Sequence, residues 1–262
     1  DKRLTDHYPG KVMGEIWGFE TGGFFESEEE IKNWAKQTSY KSSVSGQSLP
    51  GDIKLMDLNN DGVIDVGANT VDNPGDRKII GNDQPRYRYG VNLNFEWNNF
   101  YLSSFFQGIG KQDWYPDNNS ATFWGMYVAQ YAQIPSFHLG KIWSEDNTDA
   151  YFPRLRAYIA LSHILRQPQT KYLQNASYVR LKNFQFGYNL PKTISSKVSA
   201  ERINIYFSGE NLWTYSPLYK LIGSHVDIEN IRASDITWGS GSGGGFNYPM
   251  LKSFTLGLDI TF

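Results

Sequence analysis

The stretch RYRYGVNLNFEW, residues 86–97, decides the fold class, because polar and apolar side chains alternate along its whole length. The apolar and aromatic members are Tyr87, Tyr89, Val91, Leu93, Phe95 and Trp97. The residues between them are Arg86, Arg88, Gly90, Asn92, Asn94 and Glu96. Successive side chains of a β-strand point to opposite faces, so this pattern predicts a strand with one apolar and one polar face.

A tight turn and a return strand follow directly. Asn98 and Asn99 tolerate the left-handed backbone conformation that two-residue hairpin turns require. Residues 100–108 then alternate in the same way as the first strand. The two segments together predict an antiparallel hairpin.

Three later segments show the same alternation: residues 178–190, 203–208 and 254–262. In the first of them Val179 and Leu181 are out of phase with Phe184, which predicts a β-bulge near Lys182 and Asn183. A single short helix is predicted in residues 26–36, where Ser27 and Glu30 form a capping box. The chain is therefore predicted to be all-β, with antiparallel strands.

Two environments explain strands of this kind. In a soluble β-sandwich the apolar faces pack against a second sheet, whereas in an outer-membrane barrel they face lipid. The strand lengths lie near the about 9–11 residues that a tilted membrane strand needs. Aromatic residues stand at the strand ends, and short connections alternate with very long ones, as they do in membrane barrels. These features favour the barrel.

Composition excludes several other classes. The 262 residues include 25 Lys and Arg against 27 Asp and Glu, so the chain lacks the basic excess of a nucleic-acid-binding protein. There is no cysteine, which excludes disulfide scaffolds and thiol nucleophiles. No apolar run approaches the roughly 20 residues of a membrane-spanning helix. The opening residues 1–10 lack a secretory signal, so we expect the chain to be a piece of a longer protein.

A calcium-type loop is predicted within residues 51–76. The run DLNNDGVID, residues 57–65, matches the start of a calcium-binding loop, with oxygen ligands at alternate positions and Gly62 at the sharp turn. The predicted ligands are Asp57, Asn59, Asp61, Val63 through its carbonyl, Asp65 and Asp76 as the late ligand. The alternative is a turn rich in Asn and Asp that binds no metal.

No pattern of residues indicates an enzyme, because neither a nucleophile elbow nor a histidine metal motif is present. The aromatic segment 111–174 supplies weak candidates for substrate contact in Trp114, Tyr115 and Trp124, since aromatic faces stack on sugar rings. Packing within the loop explains the same residues. Arg86 and Arg88 are further weak candidates, because they lie on the polar face of the first strand.

A family resemblance runs along nearly the whole chain. The segments that carry it are GEIWGFETGGFFESEEEI (14–31), GDIKLMDLNNDGVID (51–65), RKIIGNDQPRYRYGVNLNFEWNNFYLSSFFQGIGK (77–111), WSEDNTDAYFPRL (143–155), NASYVRLKNFQFGYNLP (175–191), RINIYFSGENLW (202–213) and YPMLKSFTLGLDITF (248–262). In this order they resemble the C-terminal part of SusC/RagA-type TonB-dependent outer-membrane transporters of Bacteroidetes.

The resemblance implies an architecture and a location. Residues 1–262 would be the C-terminal portion of a 22-stranded transmembrane β-barrel with long extracellular loops, in the bacterial outer membrane and in contact with its lipid. The plug domain, the remaining strands and the segment that contacts TonB would lie outside this chain. The closing stripe would be the signal read by the barrel-assembly machinery: Phe254, Leu256, Leu258, Ile260 and Phe262.

The resemblance also implies a function. The leading hypothesis is part of an importer that takes up oligosaccharides together with a SusD-like surface lipoprotein, with structural Ca²⁺ in the loop at residues 51–76. The alternatives are a peptide importer of the same family and a secreted, calcium-stabilised carbohydrate-binding β-sandwich. A glycoside hydrolase would need two carboxylates facing each other across a cleft.

Overall fold

The computed structural model describes residues 2–38, 48–116, 120–127, 132–156, 164–165, 167–231 and 249–262. The chain divides into two compact units. The sheet unit comprises Pro85–Gln112, Ala176–Lys220 and Tyr248–Phe262. The loop unit comprises Asp1–Gln84, Asp113–Asn175 and Leu221–Asn247.

Strands dominate the described secondary structure. In chain order they are β1 (Glu15–Phe19), β2 (Thr21–Phe24), β3 (Lys36–Gln37), β4 (Ile53–Leu55), β5 (Val63–Ile64), β6 (Arg77–Asn82), β7 (Arg86–Trp97), β8 (Phe100–Lys111), β9 (Asp113–Trp114), β10 (Gln174–Asn175), β11 (Tyr178–Asn189), β12 (Arg202–Tyr215) and β13 (Ser253–Thr261). Helices of four to six residues lie at Glu28–Asn33, Ala121–Trp124, Lys192–Ser195 and Tyr219–Ile222. Single 3-10 turns lie at Gly125–Tyr127, Ser136–His138, Thr170–Tyr172, Ser196–Val198, Gly223–His225 and Ile228–Asn230.

The sheet unit is one antiparallel sheet of five strands in the order β13-β12-β11-β8-β7. β7 has the predicted bounds, and β8 extends beyond the predicted residue 108 to Lys111. Asn98 and Asn99 join them with φ angles of 45° and 69°, the left-handed values of a type I′ turn. The predicted hairpin is confirmed.

The predicted bulge lies in β11. On β8, Phe105 and Phe106 are adjacent, but their partners on β11 are Asn183 and Leu181, so Lys182 is the extra residue. The bulge changes the phase of the strand and brings Leu181 onto the same face as Phe184. The out-of-phase apolar residues thus join the common face.

One face of the sheet is apolar on all five strands. The register places these side chains on it: Tyr89, Val91, Leu93, Phe95 and Trp97 of β7; Phe100, Leu102 and Phe106 of β8; Val179, Leu181, Phe184, Phe186 and Tyr188 of β11; Ile203, Ile205, Phe207, Trp213 and Tyr215 of β12; and Phe254, Leu256, Leu258 and Ile260 of β13. Many are exposed, with Leu256 at 80% and Phe262, just beyond β13, at 83%. This face is not covered by the described chain.

The loop unit is built from short paired strands and irregular segments. Its pairs are β1 with β6, β2 with β4, β9 with β10 and the parallel pair β3 with β5. The predicted helix is confirmed at Glu28–Asn33, where the Ser27 side chain accepts the N–H of Glu30 at 3.1 Å. Glu30 accepts the N–H of Glu26 at 2.8 Å and thereby closes the cap.

The core of the loop unit is aromatic. Its fully buried large side chains include Phe19, Phe25, Trp114, Phe123, Trp124, Tyr127, Phe152 and Tyr172. Their rings meet edge-on or stacked, for example Phe123 on Trp124 at 4.7 Å and Phe152 on Tyr172 at 6.1 Å between centroids. Within the described ranges, no helix combines the length and apolar character that crossing a membrane requires.

Candidate functional site

The polar face of the sheet unit carries amides and hydroxyls in register. Asn94 on β7 accepts a hydrogen bond from Ser103 on β8 at 2.8 Å. The hydroxyl of Tyr101 accepts from the side-chain amides of Asn204 at 2.9 Å and Gln185 at 3.3 Å. These bonds join four neighbouring strands through side chains. They form a wall of hydrogen-bonding groups opposite the apolar face.

The predicted candidates Arg86 and Arg88 lie on this polar face and are exposed. The sequence analysis missed Arg180, whose register on β11 brings it to the same end of the face. Its Nε donates to the hydroxyl of Thr214 on β12 at 2.9 Å. The bulge explains the omission. Arg180 precedes the bulge, so its side chain can be assigned to the polar face only when Lys182 is known to be the extra residue.

Three tyrosine rings occupy the space beside glycines of the neighbouring strands. A Cβ added at Gly257 would lie 2.1 Å from the Tyr206 ring, and one at Gly187 would lie 2.3 Å from the Tyr101 ring. On the apolar face, Tyr89 covers Gly108 with a corresponding distance of 2.4 Å. Only glycine leaves room for these rings, so each pair locks the register of two strands.

The calcium-type loop is closed by its own acidic side chains. The Asp57 carboxylate accepts the N–H of Asn60 at 2.7 Å and of Gly62 at 2.8 Å. Asp61 accepts the N–H of Val63 at 2.8 Å. Gly62 has a φ of +81°, the conformation that the sharp turn demands. The sequence therefore folds the tight curve that such loops use.

Asp76 joins this loop although ten residues separate it from Asp65. Residues 66–75 form an excursion from the loop whose two ends meet. There the N–H of Asp76 donates to the carbonyl of Asp65 at 3.1 Å. The Asp76 carboxylate is fully buried and accepts the N–H groups of Leu58 at 2.8 Å and Asp65 at 2.9 Å. Arg77 braces the excursion by donating to the carbonyl of Val66 at 2.8 Å.

The donor set of the loop fits calcium chemically, since its side chains are carboxylate and amide oxygens. In the structure these oxygens accept hydrogen bonds from backbone N–H groups of the loop itself. Across the described residues, no group of three or more His, Asp or Glu side chains has an arrangement that could hold a metal ion. Asp57, Asn59, Asp61 and Asp65 would have to reorient to share one ion, and calcium remains a prediction.

The aromatic candidates are buried in the core of the loop unit. Trp124 has no exposed surface, and its Nε1 donates to the carbonyl of Pro116 at 3.2 Å. The Tyr115 hydroxyl donates to the carbonyl of Leu165 at 2.8 Å, and burial raises its pKa. Trp114 packs edge-on against Phe123 at 5.9 Å. This placement favours packing over substrate contact for all three.

His138 lies in the same core, with its ring 3.9 Å from that of Phe152. Its Nε2 is 2.7 Å from the carbonyl oxygen of Phe123. Burial lowers the pKa of His138 to about 4, and the hydrogen bond to Phe123 offsets part of that shift. The imidazole is therefore neutral at pH 7 and donates to the carbonyl.

The closing stripe predicted as an assembly signal lies on the apolar face. Phe254, Leu256, Leu258 and Ile260 pair through β13 with Gly209, Phe207, Ile205 and Ile203 of β12. All five members of the stripe, including Phe262, are exposed. The other edge of β13 has no partner strand in the described sheet.

Sequence similarity relates the chain to known proteins. No protein-family model matches the chain. It is 28% identical over 258 residues to TonB-dependent receptor P3 of Formosa agariphila, and 24% identical over 259 residues to TonB-dependent receptor P26 of the same organism. These matches cover 97% and 96% of this chain. The resemblance to TonB-dependent receptors is confirmed.

Solved structures show the same fold. The RagAB peptide transporter matches with a TM-score of 0.61 at 20% identity over 98% of this chain, and the RagAB peptide importer in its open-open state matches with 0.59 at 20% identity over 100%. The chain spans 22% and 23% of the two receptors and about a quarter of the RagAB chains. It corresponds to part of a larger barrel protein.

The similarity assigns the two faces of the sheet. TonB-dependent receptors are outer-membrane proteins, so this chain is located in the bacterial outer membrane. Its strands are antiparallel barrel strands, and the apolar face is the one directed to lipid. The shared fold favours barrel strands over the alternative of a secreted β-sandwich.

Proposed function

We propose that this chain forms part of a TonB-dependent importer of oligosaccharides and itself carries out no enzymatic chemistry. The observation that supports this is the two-faced sheet, in which an exposed apolar face is backed by a face of amides and hydroxyls. The polar face would line the path of the cargo. Asn92, Asn94 and Gln185 can exchange hydrogen bonds with sugar hydroxyls in both directions, since an amide both donates and accepts.

The partners in this proposal are those that the resemblance implies. The remaining barrel strands and the plug would complete the transporter, TonB would supply energy through the plug, and a SusD-like lipoprotein would deliver the cargo. The solved structures of similar fold are complexes described as RagAB, which supports a paired assembly for this chain.

A peptide importer is the second candidate, because the solved structures of similar fold are described as a peptide importer and transporter. The same wall suits a peptide, since side-chain amides bond to backbone N–H and C=O groups as they do to hydroxyls. The two candidates differ in cargo and share the membrane architecture.

The test uses the full-length receptor and its lipoprotein, expressed in cells that lack them. Uptake of a fluorescent neutral tetrasaccharide and of a fluorescent neutral octapeptide is measured with and without a protonophore. The proposal expects protonophore-sensitive uptake of the tetrasaccharide, reduced by N92L/N94L on the polar face and unchanged by the lipid-face control V91L. Uptake of the peptide alone would establish the second candidate, and uptake of neither would overturn both.

We also propose a structural calcium ion in the loop at residues 51–76, held by oxygens of Asp57, Asn59, Asp61, Val63 and Asp65. The buried Asp76 carboxylate is part of this proposal as the late ligand or as the brace that positions the others. Terbium luminescence, recorded during titration with Tb³⁺, would report binding to the full-length receptor. D57A/D61A should abolish the signal and the exposed-loop control D146N should keep it. An equal signal from both variants would exclude the site.

A further inference from the structure

Positive charge is concentrated at one end of the polar face of the sheet unit. Four cationic residues lie there, at the strand ends from which the long connections 112–177 and 216–252 depart: Arg86, Arg88, Lys111 and Arg180. We call this group the cationic end. It is formed by three adjacent strands, β7, β8 and β11.

The register brings these side chains close together. Arg86 lies directly opposite Lys111, and Arg88 lies two positions further along β7, opposite Ile109. Arg180 pairs with Gln107 on β8, whose partner on β7 is Gly90. Directly opposed residues have Cβ atoms about 4.5–5.5 Å apart, so Arg86 and Lys111 repel each other across the strand pair.

Arg180 is held in a fixed position. It is only 3% exposed, its Nε donates to Thr214 at 2.9 Å, and its guanidinium lies 6.0 Å from the centre of the Tyr178 ring. These contacts hold Arg180 in place, so its buried guanidinium adds a fixed positive charge to this end of the face. Arg86 and Arg88 are exposed and lie on the same face, at the same end of the strands.

Among the described strands of the sheet, the negative charges on this face lie at other positions. Glu96 is next to the Asn98–Asn99 turn and Asp259 pairs with Asn204, both toward the opposite end of the strands. Glu210 pairs with Asn183, four residues along β12 from the Thr214 that holds Arg180. In the described part of the chain, Arg86, Arg88 and Lys111 form no ion pair. These three exposed cations therefore lack an ion-pair partner among the described residues, and the inference rests on them.

We infer that the cationic end selects cargo that carries acid groups, carboxylates or sulfates, over neutral cargo. The inference rests on the proposed importer function and adds a substrate class to it. Arginine forks bind these groups through two parallel N–H···O bonds, and two opposed like charges are stabilised when an anion lies between them. The acid groups could belong to a sugar acid or to acidic side chains of a peptide, and both present the same chemistry.

The test compares charged and uncharged versions of one cargo. Cells with the full-length receptor and its lipoprotein receive fluorescent tetragalacturonate or its methyl ester, which removes the charge and keeps the skeleton. A parallel arm uses an octapeptide that contains Glu at four positions and the same peptide with Gln. The first pair identifies sugar acids as the source of the charge and the second identifies peptides.

The inference expects wild-type uptake of one acidic cargo to exceed that of its neutral partner by about tenfold at low salt, with the ratio falling as salt rises. R86Q/R88Q/K111Q should bring the ratio near one. The matched control R202Q removes a cation from the opposite end of the same face and should leave the ratio unchanged.

The outcomes separate the inference from the function beneath it. Equal uptake of acidic and neutral cargo by the wild type would overturn the inference and leave the importer standing. An unchanged ratio in R86Q/R88Q/K111Q would also overturn it, because the cations would then pair with carboxylates of neighbouring barrel strands. The absence of energy-dependent uptake for all four cargoes would overturn the proposed function itself.

Discussion

The sheet unit and the loop unit place their aromatic residues in opposite environments. In the sheet unit, large apolar side chains such as Leu256 and Phe262 are exposed on one face. In the loop unit, Trp124 and Phe152 are completely buried among other rings. The sheet unit therefore depends on surrounding lipid for the burial of its apolar surface, whereas the loop unit buries its own. Substitutions in the two units should fail in different ways.

The largest effect is expected from W124A in the loop unit. Trp124 is fully buried, so its truncation leaves a cavity that costs about 3–5 kcal/mol. Limited proteolysis of the full-length receptor in outer-membrane vesicles should show new cleavage within residues 112–175, while the barrel stays heat-modifiable. L139A, at a 70% exposed position of the same unit, is the control and should leave the cleavage pattern unchanged. Loss of the barrel in W124A would contradict the independence of the two units.

A charge on the lipid face should prevent membrane assembly of the sheet unit. L256R places a cation on the apolar face and is expected to cost about 2–4 kcal/mol near the bilayer midplane. The amount of heat-modifiable receptor in the outer-membrane fraction should fall. T255R on the neighbouring polar-face position is the matched control and should assemble normally. Equal assembly of the two variants would mean that the apolar face is not directed to lipid.

The tyrosine–glycine pairs should give a smaller effect. G257A adds a Cβ where the Tyr206 ring lies at 2.1 Å, and overpacking of this kind costs about 1–3 kcal/mol. Urea unfolding of the receptor from liposomes would measure it. The double variant G257A/Y206A removes the ring and should recover most of the loss, which a double-mutant cycle quantifies. Additive losses would show that the ring does not lie over the glycine.

The smallest effect is a pH dependence confined to the loop unit. The pKa of His138 is lowered from 6.5 to about 4 by burial, so the unfolded state binds more protons between these values. The stability that the neutral imidazole provides is complete above pH 6.5 and is lost as the pH falls toward 4, and the loss at pH 5 is on the order of 2 kcal/mol. Hydrogen–deuterium exchange of residues 120–140, corrected for intrinsic rates, should show weaker protection at pH 5 than at pH 7.5. H138Q should remove the difference.

The sequence predicted the sheet unit far better than the loop unit. Alternation in residues 86–97 gave the bounds of β7, and the phase change at Lys182 gave the bulge, because a period of two is visible without tertiary information. The aromatic core around Trp124 has no period, and its rings meet through contacts between distant segments. Packing of this kind follows from the fold and is not encoded in local spacing.

The candidate sites show the same division. The tight curve at Asp57 was predictable because its Asn, Asp and Gly positions are local. Asp76 was predicted as the late ligand, but its hydrogen bond to Asp65 across ten intervening residues could not be derived from local spacing. Arg180 and the tyrosine–glycine pairs depend on the register between strands, which is fixed only when all five strands are assembled.

The bulge at Lys182 has a consequence for how this chain can change length during evolution. An insertion of one residue within a regular barrel strand exchanges lipid-facing and cargo-facing side chains over the rest of that strand, and an insertion of two residues restores them. At Lys182, β11 already contains one extra residue, and the apolar side chains on both sides of it still lie on the same face. Related chains should therefore differ in strand length by even numbers of residues, with odd differences concentrated at this one position.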